Sequence, residues 1–294
     1  MSQRRACRAL GQPRSTQRYA PRVPDDEPAL VAAMHAEARR HPRYGYRLVC
    51  GVLRGDGWKV NPKRVYRLWR REGLKVARKR RKKRRLGHSE NGCVRRRAEG
   101  KNDVWAWDFI HDRDEWGRPL KWLSLVDEWT RECLLLEVER GMKAVEVIER
   151  MSEVMRIRGV PRHIRSDNGP EFIARALRKF LGAADVETLY IEPGSPWENG
   201  YAESFHSRLR DELLDAEIFG GLRDAKALAA GWRNEYNHRR PHSSLGYVPP
   251  ATYAARYEAE QAASLAEPPV GPPGLPAAQP GQTTSRPTLI APGT

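Results

Sequence analysis

A single aspartate stands inside a continuous apolar segment of this 294-residue chain. Residues 104–110 read Val-Trp-Ala-Trp-Asp-Phe-Ile, and such a run predicts a central strand that is covered on both faces. An ionised Asp108 in that strand costs several kcal/mol unless a cation or a partner compensates its charge. The segment therefore predicts a strand at the middle of a sheet, with a carboxylate kept there for a chemical purpose.

Two further carboxylates stand where active groups are expected. Asp167 follows a short strand and precedes Asn-Gly-Pro, a turn signal, so it is predicted at a strand end. Glu203 lies near the start of a predicted helix and points away from its apolar face on a wheel of about 100° per residue. Arg210, seven residues on, falls within about 20° of Glu203 on that wheel.

Any one of these carboxylates alone would usually be a cap or a solvated charge, but the three together favour a site. Other acidic residues nearby are assigned to turns, helix starts and a hairpin loop. These are Asp112, Asp114, Asp127, Glu171 and Glu198.

Three short strings carry a family resemblance: Trp-Asp at 107–108, Ser-Asp-Asn-Gly at 166–169 and Asn-Gly-Tyr-Ala-Glu-Ser-Phe at 199–205. They closely resemble the DDE core of retroviral-integrase-like transposases. Within that class, residues 25 to 255 look most like the second-frame product of two-reading-frame bacterial insertion sequences. The 35 residues between Asp167 and Glu203, and the basic residue seven after the glutamate, both fit this family.

The resemblance implies metal-dependent strand cleavage and strand transfer at DNA ends. Two Mg²⁺ ions, with Mn²⁺ as a substitute, would lie about 3.5–4 Å apart and clamp the attacking and leaving oxygens. Asp108 would bridge them, Asp167 and Glu203 would each complete one coordination shell, and Arg210 would contact a terminal phosphate. Water would free a 3′ hydroxyl, which would then attack another phosphodiester.

The implied partners are double-stranded DNA of the element ends and target, further copies of the chain, and the upstream-frame product of the same element. Two other functions stay open. One is a catalytically silent DNA-binding regulator derived from a transposase. The other is a ribonuclease-H-like nuclease that cuts without joining.

Composition agrees with a nucleic-acid partner. A formal charge of +16 and a pI near 10.0 attract polyanions, and no apolar stretch approaches the ~20 residues that span a membrane. The four cysteines form no Cys-x-x-Cys pair, which favours reduced thiols and argues against a zinc module. We expect a cytoplasmic, nucleoid-associated protein without a secretory signal or a membrane partner.

Residues 25–77 predict a small helix-turn-helix-like DNA-binding domain, after a solvated basic arm at 1–24. Its third helix starts at Asn61-Pro62 and turns basic residues outward. The candidate DNA contacts on this helix are Lys63, Arg64, Arg67 and Arg71. A plain three-helix bundle is the alternative, and the string Tyr-Gly-Tyr-Arg at 44–47, which resembles the family's helix-turn-helix segment, favours DNA.

A polybasic linker is predicted at 78–100. Eight consecutive cations repel each other, so we expect disorder without a polyanion and strongly salt-dependent DNA binding. They are Arg78, Lys79, Arg80, Arg81, Lys82, Lys83, Arg84 and Arg85. A nuclear localisation signal is the rival interpretation of such a run.

The catalytic core is predicted at 101–220, as an α/β ribonuclease-H-like fold with a mixed five-stranded sheet and flanking helices. Its strands are expected near 104–110, 120–127, 133–138, 163–167 and 188–191, and its first two helices near 143–158 and 170–181. Residues 221–257 are expected to form a C-terminal helical clasp, in which His238 and His242 lack metal-binding partners. A disordered, proline-rich tail is expected at 258–294.

Overall fold

The computed structural model describes residues 2–19, 24–76, 96–166, 174–190 and 200–266. Its N-terminal part is helical throughout, and the predicted solvated arm contains two of the helices. The five helices are α1 (Gln3–Ala9), α2 (Arg14–Gln17), α3 (Glu27–Arg40), α4 (Tyr46–Gly55) and α5 (Pro62–Arg71). No helix in these ranges is long and apolar enough to cross a membrane.

Helices α3, α4 and α5 enclose an apolar core of their own, as their spacing predicts. Leu30 of α3, Leu53 of α4 and Leu68 of α5 are fully or almost fully buried in it. The Asn61 side chain caps α5 by accepting from the Lys63 backbone N–H at 2.8 Å, which satisfies one of the unpaired donors of the first turn.

The predicted mixed sheet of five strands is confirmed, in the order β3-β2-β1-β4-β5. Strands β1, β2 and β3 pair antiparallel, whereas β4 is parallel to both β1 and β5. The strands are β1 (Val104–Arg113), β2 (Pro119–Asp127), β3 (Cys133–Glu139), β4 (His163–Ser166) and β5 (Glu187–Tyr190). The first strand runs three residues beyond its prediction, because its polar end pairs with β2 as a hairpin as far as Arg113 opposite Pro119.

Helices cover both faces of the sheet. The helices after β3 are α6 (Ala144–Arg158), α7 (Arg175–Ala183), α8 (Gly200–Leu209), a π-helix (Arg210–Leu214), α9 (Leu222–His238) and α10 (Pro250–Ala266). Trp105 and Trp107 pack with α6 and α7 on one face, whereas Ile110 packs with α8, the π-helix and α9 on the other. Because side chains alternate along a strand, Asp108 shares the Ile110 face and therefore faces α8.

Two predicted boundaries shift. The described part of the helix expected from 170 begins at Arg175. The tail expected from 258 is wrong by nine residues, because α10 continues through an alanine- and glutamate-rich stretch to Ala266 before the first proline of the tail. Residues 267–294 lie outside the described ranges.

Candidate active site

Asp108 lies in the middle of β1, directly opposite Ser124 of β2 in the strand register. Its carboxylate is 22% exposed, so it reaches solvent from an otherwise buried strand. The Ser124 hydroxyl donates to the Asp108 backbone carbonyl at 3.2 Å. The predicted strand aspartate is therefore placed at an opening of the sheet that faces α8.

His206 of α8 joins this pair and was missed in the sequence. Its Nε2 lies 2.9 Å from the Ser124 hydroxyl oxygen, and its Nδ1 lies 3.5 Å from Asp108 Oδ2. Burial, together with the positive charge of Arg210, lowers the pKa of His206 to about 4. The ring is therefore neutral at pH 7 and can orient the Asp108 carboxylate. A lone serine in an apolar strand was the available signal.

Glu203 lies in the first turn of α8, the helix that also carries His206. The predicted apolar face is confirmed, because Ala202, Phe205 and Leu209 are buried while Glu203 is exposed. Arg210 is exposed at the point where the π-helix begins. It follows His206 by four residues, about one turn, so the two lie on the same side of the helix.

Asp167 lies outside the described residues, and so does the polybasic run 78–85. Strand β4 ends at Ser166, the residue before Asp167 in the chain, and it runs parallel to the strand of Asp108. Within the described ranges, no three His, Cys, Asp or Glu side chains are grouped to hold a metal ion. The carboxylate oxygens of Asp108 and Glu203 have the hard-donor chemistry that a magnesium-type ion requires.

Asp127 and Asp114, which were assigned to a turn and a hairpin loop, accept hydrogen bonds there. Asp127 accepts from the backbone N–H groups of Trp129 and Thr130, each at 2.8 Å. Asp114 sits in the β1–β2 hairpin; burial raises its pKa, but hydrogen bonds from Arg140 and Arg118 outweigh this and hold it at about 2. Glu171 and Glu198 lie outside the described residues.

Three arginines of the basic helix α5 form ion pairs with acidic residues at the start of α3. Arg64 pairs with Asp26 at 2.7 Å, and both Arg67 and Arg71 reach Glu27 at the start of α3. Arg67 and Arg71 nevertheless keep more than half of their side-chain surface exposed. Their contact with DNA, and that of Lys63, stays a prediction.

Three parts of the chain match known families. Residues 98–196 and 184–250 match models described as "Integrase core domain", and residues 24–83 match one described as "HTH-like domain". The five-stranded sheet and α8 lie within the integrase-core matches, and α3, α4 and α5 lie within the HTH-like match.

Curated relatives come from bacterial insertion elements. The chain is 39% identical over 262 residues to the "Insertion element IS476 uncharacterized 39.2 kDa protein" of Xanthomonas euvesicatoria, which covers 89% of this chain and 75% of the relative. It is 38% identical to the IS407 uncharacterized 31.7 kDa protein of Burkholderia multivorans, over 88% and 92% of the two chains. It is 31% identical to "Transposase InsD" for the insertion element IS2 of Escherichia coli, over 78% and 79%.

Solved integrases resemble the chain more distantly. The HTLV-2 integrase catalytic core, solved in complex with magnesium, is 16% identical with a TM-score of 0.44, over 54% of this chain and 99% of that chain. An integrase in a simian T-cell lymphotropic virus intasome is 15% identical with a TM-score of 0.47, over 77% and 74%.

Proposed function

This chain belongs to the integrase-core transposases of bacterial insertion elements, and we propose that Asp108, Asp167 and Glu203 are its catalytic triad. The single observation that carries the proposal is the link between β1 and α8. His206, three residues after Glu203, lies 3.5 Å from the Asp108 carboxylate and brings the two elements together. A strand carboxylate that opens toward a helix carrying a second, exposed carboxylate is suited to phosphoryl transfer at a metal site.

The three carboxylates would hold two divalent ions, with Mg²⁺ as the natural choice and Mn²⁺ as a substitute. Bound there, the ions would stabilise charge on the attacking and leaving oxygens of the phosphodiester. Asp108 and Glu203 supply oxygen ligands, and the neutral His206 and the Ser124 hydroxyl hold the Asp108 carboxylate and its strand in place. Arg210 would contact a phosphate of the terminal DNA.

The substrate proposed is the double-stranded DNA at the ends of the chain's own element, together with the target DNA. Water would cut first and free a 3′ hydroxyl, which would then attack a second phosphodiester. We further propose a copy-out pathway through a circular intermediate, with several protomers joining two ends. An upstream-frame product of the same element would supply a further DNA-reading domain.

The test combines purified protein with Mg²⁺ and labelled DNA carrying the element ends, with and without the upstream-frame partner. Asp108→Asn, Asp167→Asn and Glu203→Gln should each abolish strand-joined products while DNA binding persists. Glu153→Gln, an exposed change on α6 across the sheet, is the matched control and should keep activity.

Two outcomes would select the alternatives. Specific binding with no cleavage by the unaltered protein would indicate a silent regulator. Metal-dependent cut ends without joined products would indicate a nuclease that only hydrolyses DNA.

A further inference from the structure

A cavity of about 410 Å³, here called the arginine pocket, lies beside α8. Its polar lining includes Arg131, Tyr201, Ser204, Arg208, His242, Ser243 and Ser244, of which Ser244 is already hydrogen-bonded to His242. No acidic residue lines it in the described part of the chain. Ser204 and Arg208 are about 40° apart on the helix and about 100–140° from Glu203, so the pocket adjoins the face that carries the catalytic glutamate.

Arg131 has hydrogen-bond donors that are buried and unused. It lies in the turn after β2, and its guanidinium carbon stands 3.7 Å from the centre of the Tyr201 ring. Its Nε and Nη1 are both buried, and neither has a hydrogen-bond partner among the described residues. Because a buried donor without an acceptor is destabilising, this guanidinium is arranged for an acceptor that arrives from outside the chain.

The pocket is strongly positive. Burial, together with the charges of Arg240, Arg131 and Arg208, lowers the pKa of His242 to about 4. Glu212 neutralises Arg240, whereas no carboxylate in the described ranges forms an ion pair with Arg131 or Arg208. The start of α8, at the pocket's edge, adds its partial positive charge.

We propose that the arginine pocket binds one phosphodiester of the DNA strand that passes the catalytic carboxylates, an inference that rests on the function proposed above. Two guanidinium groups and two serine hydroxyls supply the donors that a phosphate needs. Arg208 lies five residues beyond Glu203, or about 7.5 Å along the helix. Because Arg208 is also turned about 140° from Glu203 on the helix, this phosphate is expected within a few nucleotides of the bond that is cut.

A second cavity, of about 440 Å³, indicates where the strand leads. It shares Arg208, His242 and Ser243 with the arginine pocket and continues to Arg43 and Arg47 beside α4. Its lining also contains Asp211 and Glu212, but four arginines outnumber these two carboxylates. The two cavities together therefore make a path of net positive charge from α8 toward the helix-turn-helix-like domain. A backbone held in the pocket would therefore be directed to the domain that is predicted to read DNA sequence.

The first experiment measures the affinity of the full chain for a labelled DNA duplex, without divalent metal, over a series of salt concentrations. Arg131→Gln and Arg208→Gln should each reduce the slope of log K against log salt by about 0.9, the value for one lost phosphate contact. Arg156→Gln removes the same charge from an exposed site on α6, across the sheet, and should leave the slope unchanged. The melting curves of all variants should overlay, which shows that each variant is folded. Arg131→Gln also removes the contact with the Tyr201 ring, so Arg208→Gln tests the pocket with that contact intact.

The second experiment locates the phosphate. A neutral methylphosphonate placed singly along the strand should weaken binding about tenfold at one position within about three nucleotides of the end. That position should have no effect in Arg131→Gln or Arg208→Gln, since the contact is already lost. Unchanged salt slopes in both variants would overturn the proposal. Inorganic phosphate that binds the unaltered protein but not Arg131→Gln, and that the DNA duplex does not displace, would overturn it in favour of free phosphate.

The pocket and the proposed function fail differently. Strand joining by the unaltered protein together with unchanged salt slopes would refute the pocket and leave the function standing. Reduced slopes in a protein that never joins strands would support the pocket and refute the function.

Discussion

Removing one partner of the buried ion pair between Glu212 and Arg240 should destabilise this molecule strongly. Arg240 Nε and Nη2 donate to the two Glu212 oxygens at 2.7 to 3.0 Å, and the two side chains are only 5% and 11% exposed. Glu212 lies on the π-helix that continues α8, and Arg240 also stands 5.6 Å from the Tyr44 ring of the helical domain. The pair therefore joins the catalytic helix, the segment after α9 and the N-terminal domain.

Glu212→Gln should be strongly destabilising although it keeps the shape of the side chain. Burial lowers the pKa of Arg240, but the hydrogen bonds and charge of Glu212 outweigh this and raise it. The variant loses that support, yet a guanidinium does not deprotonate in proteins, so Arg240 becomes a buried charge without a partner. Removing one partner of a buried pair costs about 3–5 kcal/mol, and the amide oxygen keeps one hydrogen bond, so we expect about 3 kcal/mol. At about 2–4 °C per kcal/mol, the melting temperature should fall by about 6–12 °C.

The assay is thermal unfolding at pH 7, followed by far-ultraviolet circular dichroism. Glu139→Gln is the matched control, because it breaks the more exposed pair with Lys226 and should cost less than about 1 kcal/mol. The double variant Glu212→Leu with Arg240→Met should recover much of the loss, since it leaves no uncompensated buried charge. A Glu212→Gln protein that melts no lower than Glu139→Gln would refute this account of the joint.

Two further predictions concern close packing and acid stability. An added Cβ at Gly51 would lie 2.7 Å from Pro241, so Gly51→Ala should lower the free energy of unfolding in urea by about 1–3 kcal/mol. Gly55→Ala is the control, because an added Cβ there meets nothing within 4 Å. Equal unfolding midpoints for the two variants would contradict this prediction. The Asp114 pKa of about 2 lies below the unfolded value near 3.9, so its contribution is complete above pH 4 and disappears between pH 4 and 2. Asp114→Asn should therefore melt below the unaltered protein at pH 7, with a gap that closes toward pH 2; a gap that stays constant would argue against the ionised carboxylate.

The sheet and the placement of Asp108 could be predicted because their signals are local. Residues 104–110 form an apolar run long enough for a buried strand, and one carboxylate interrupts it. Such a run predicts a central strand, and burying its charge is unfavourable unless a ligand or partner compensates it. The Glu203 helix was equally legible, since its apolar residues recur at helical spacing. The cap at Asn61 followed from the same kind of short-range chemistry.

The other contacts of the candidate site join residues that are far apart in the sequence, so no local pattern or periodicity predicts them. His206 reaches Ser124 across 82 residues of sequence, and Arg239 reaches Glu37 across 202. From the sequence alone, such a histidine or arginine is predicted to be a solvated surface residue. Its partner is distant in the sequence and comes close only in the folded chain. The clasp of the core expected at 221–257 stays a prediction, and the contact of the segment after α9 with the helical domain had no local signal in the sequence.

The π-helix changes which residues of the continued α8 helix face the core. A regular wheel predicts that Leu209 and Leu213 face the core, yet Leu213 and Leu214 are both buried, because the wider π-turn brings two successive residues onto the sheet. The change of phase begins at Arg210, so Glu203 keeps regular α-helical geometry while Glu212 turns to Arg240. The glutamate proposed for catalysis and the joint to the helical domain thus lie on adjacent stretches of α8 and its continuation. A change that straightens the π-turn should disturb the joint before it disturbs the position of Glu203.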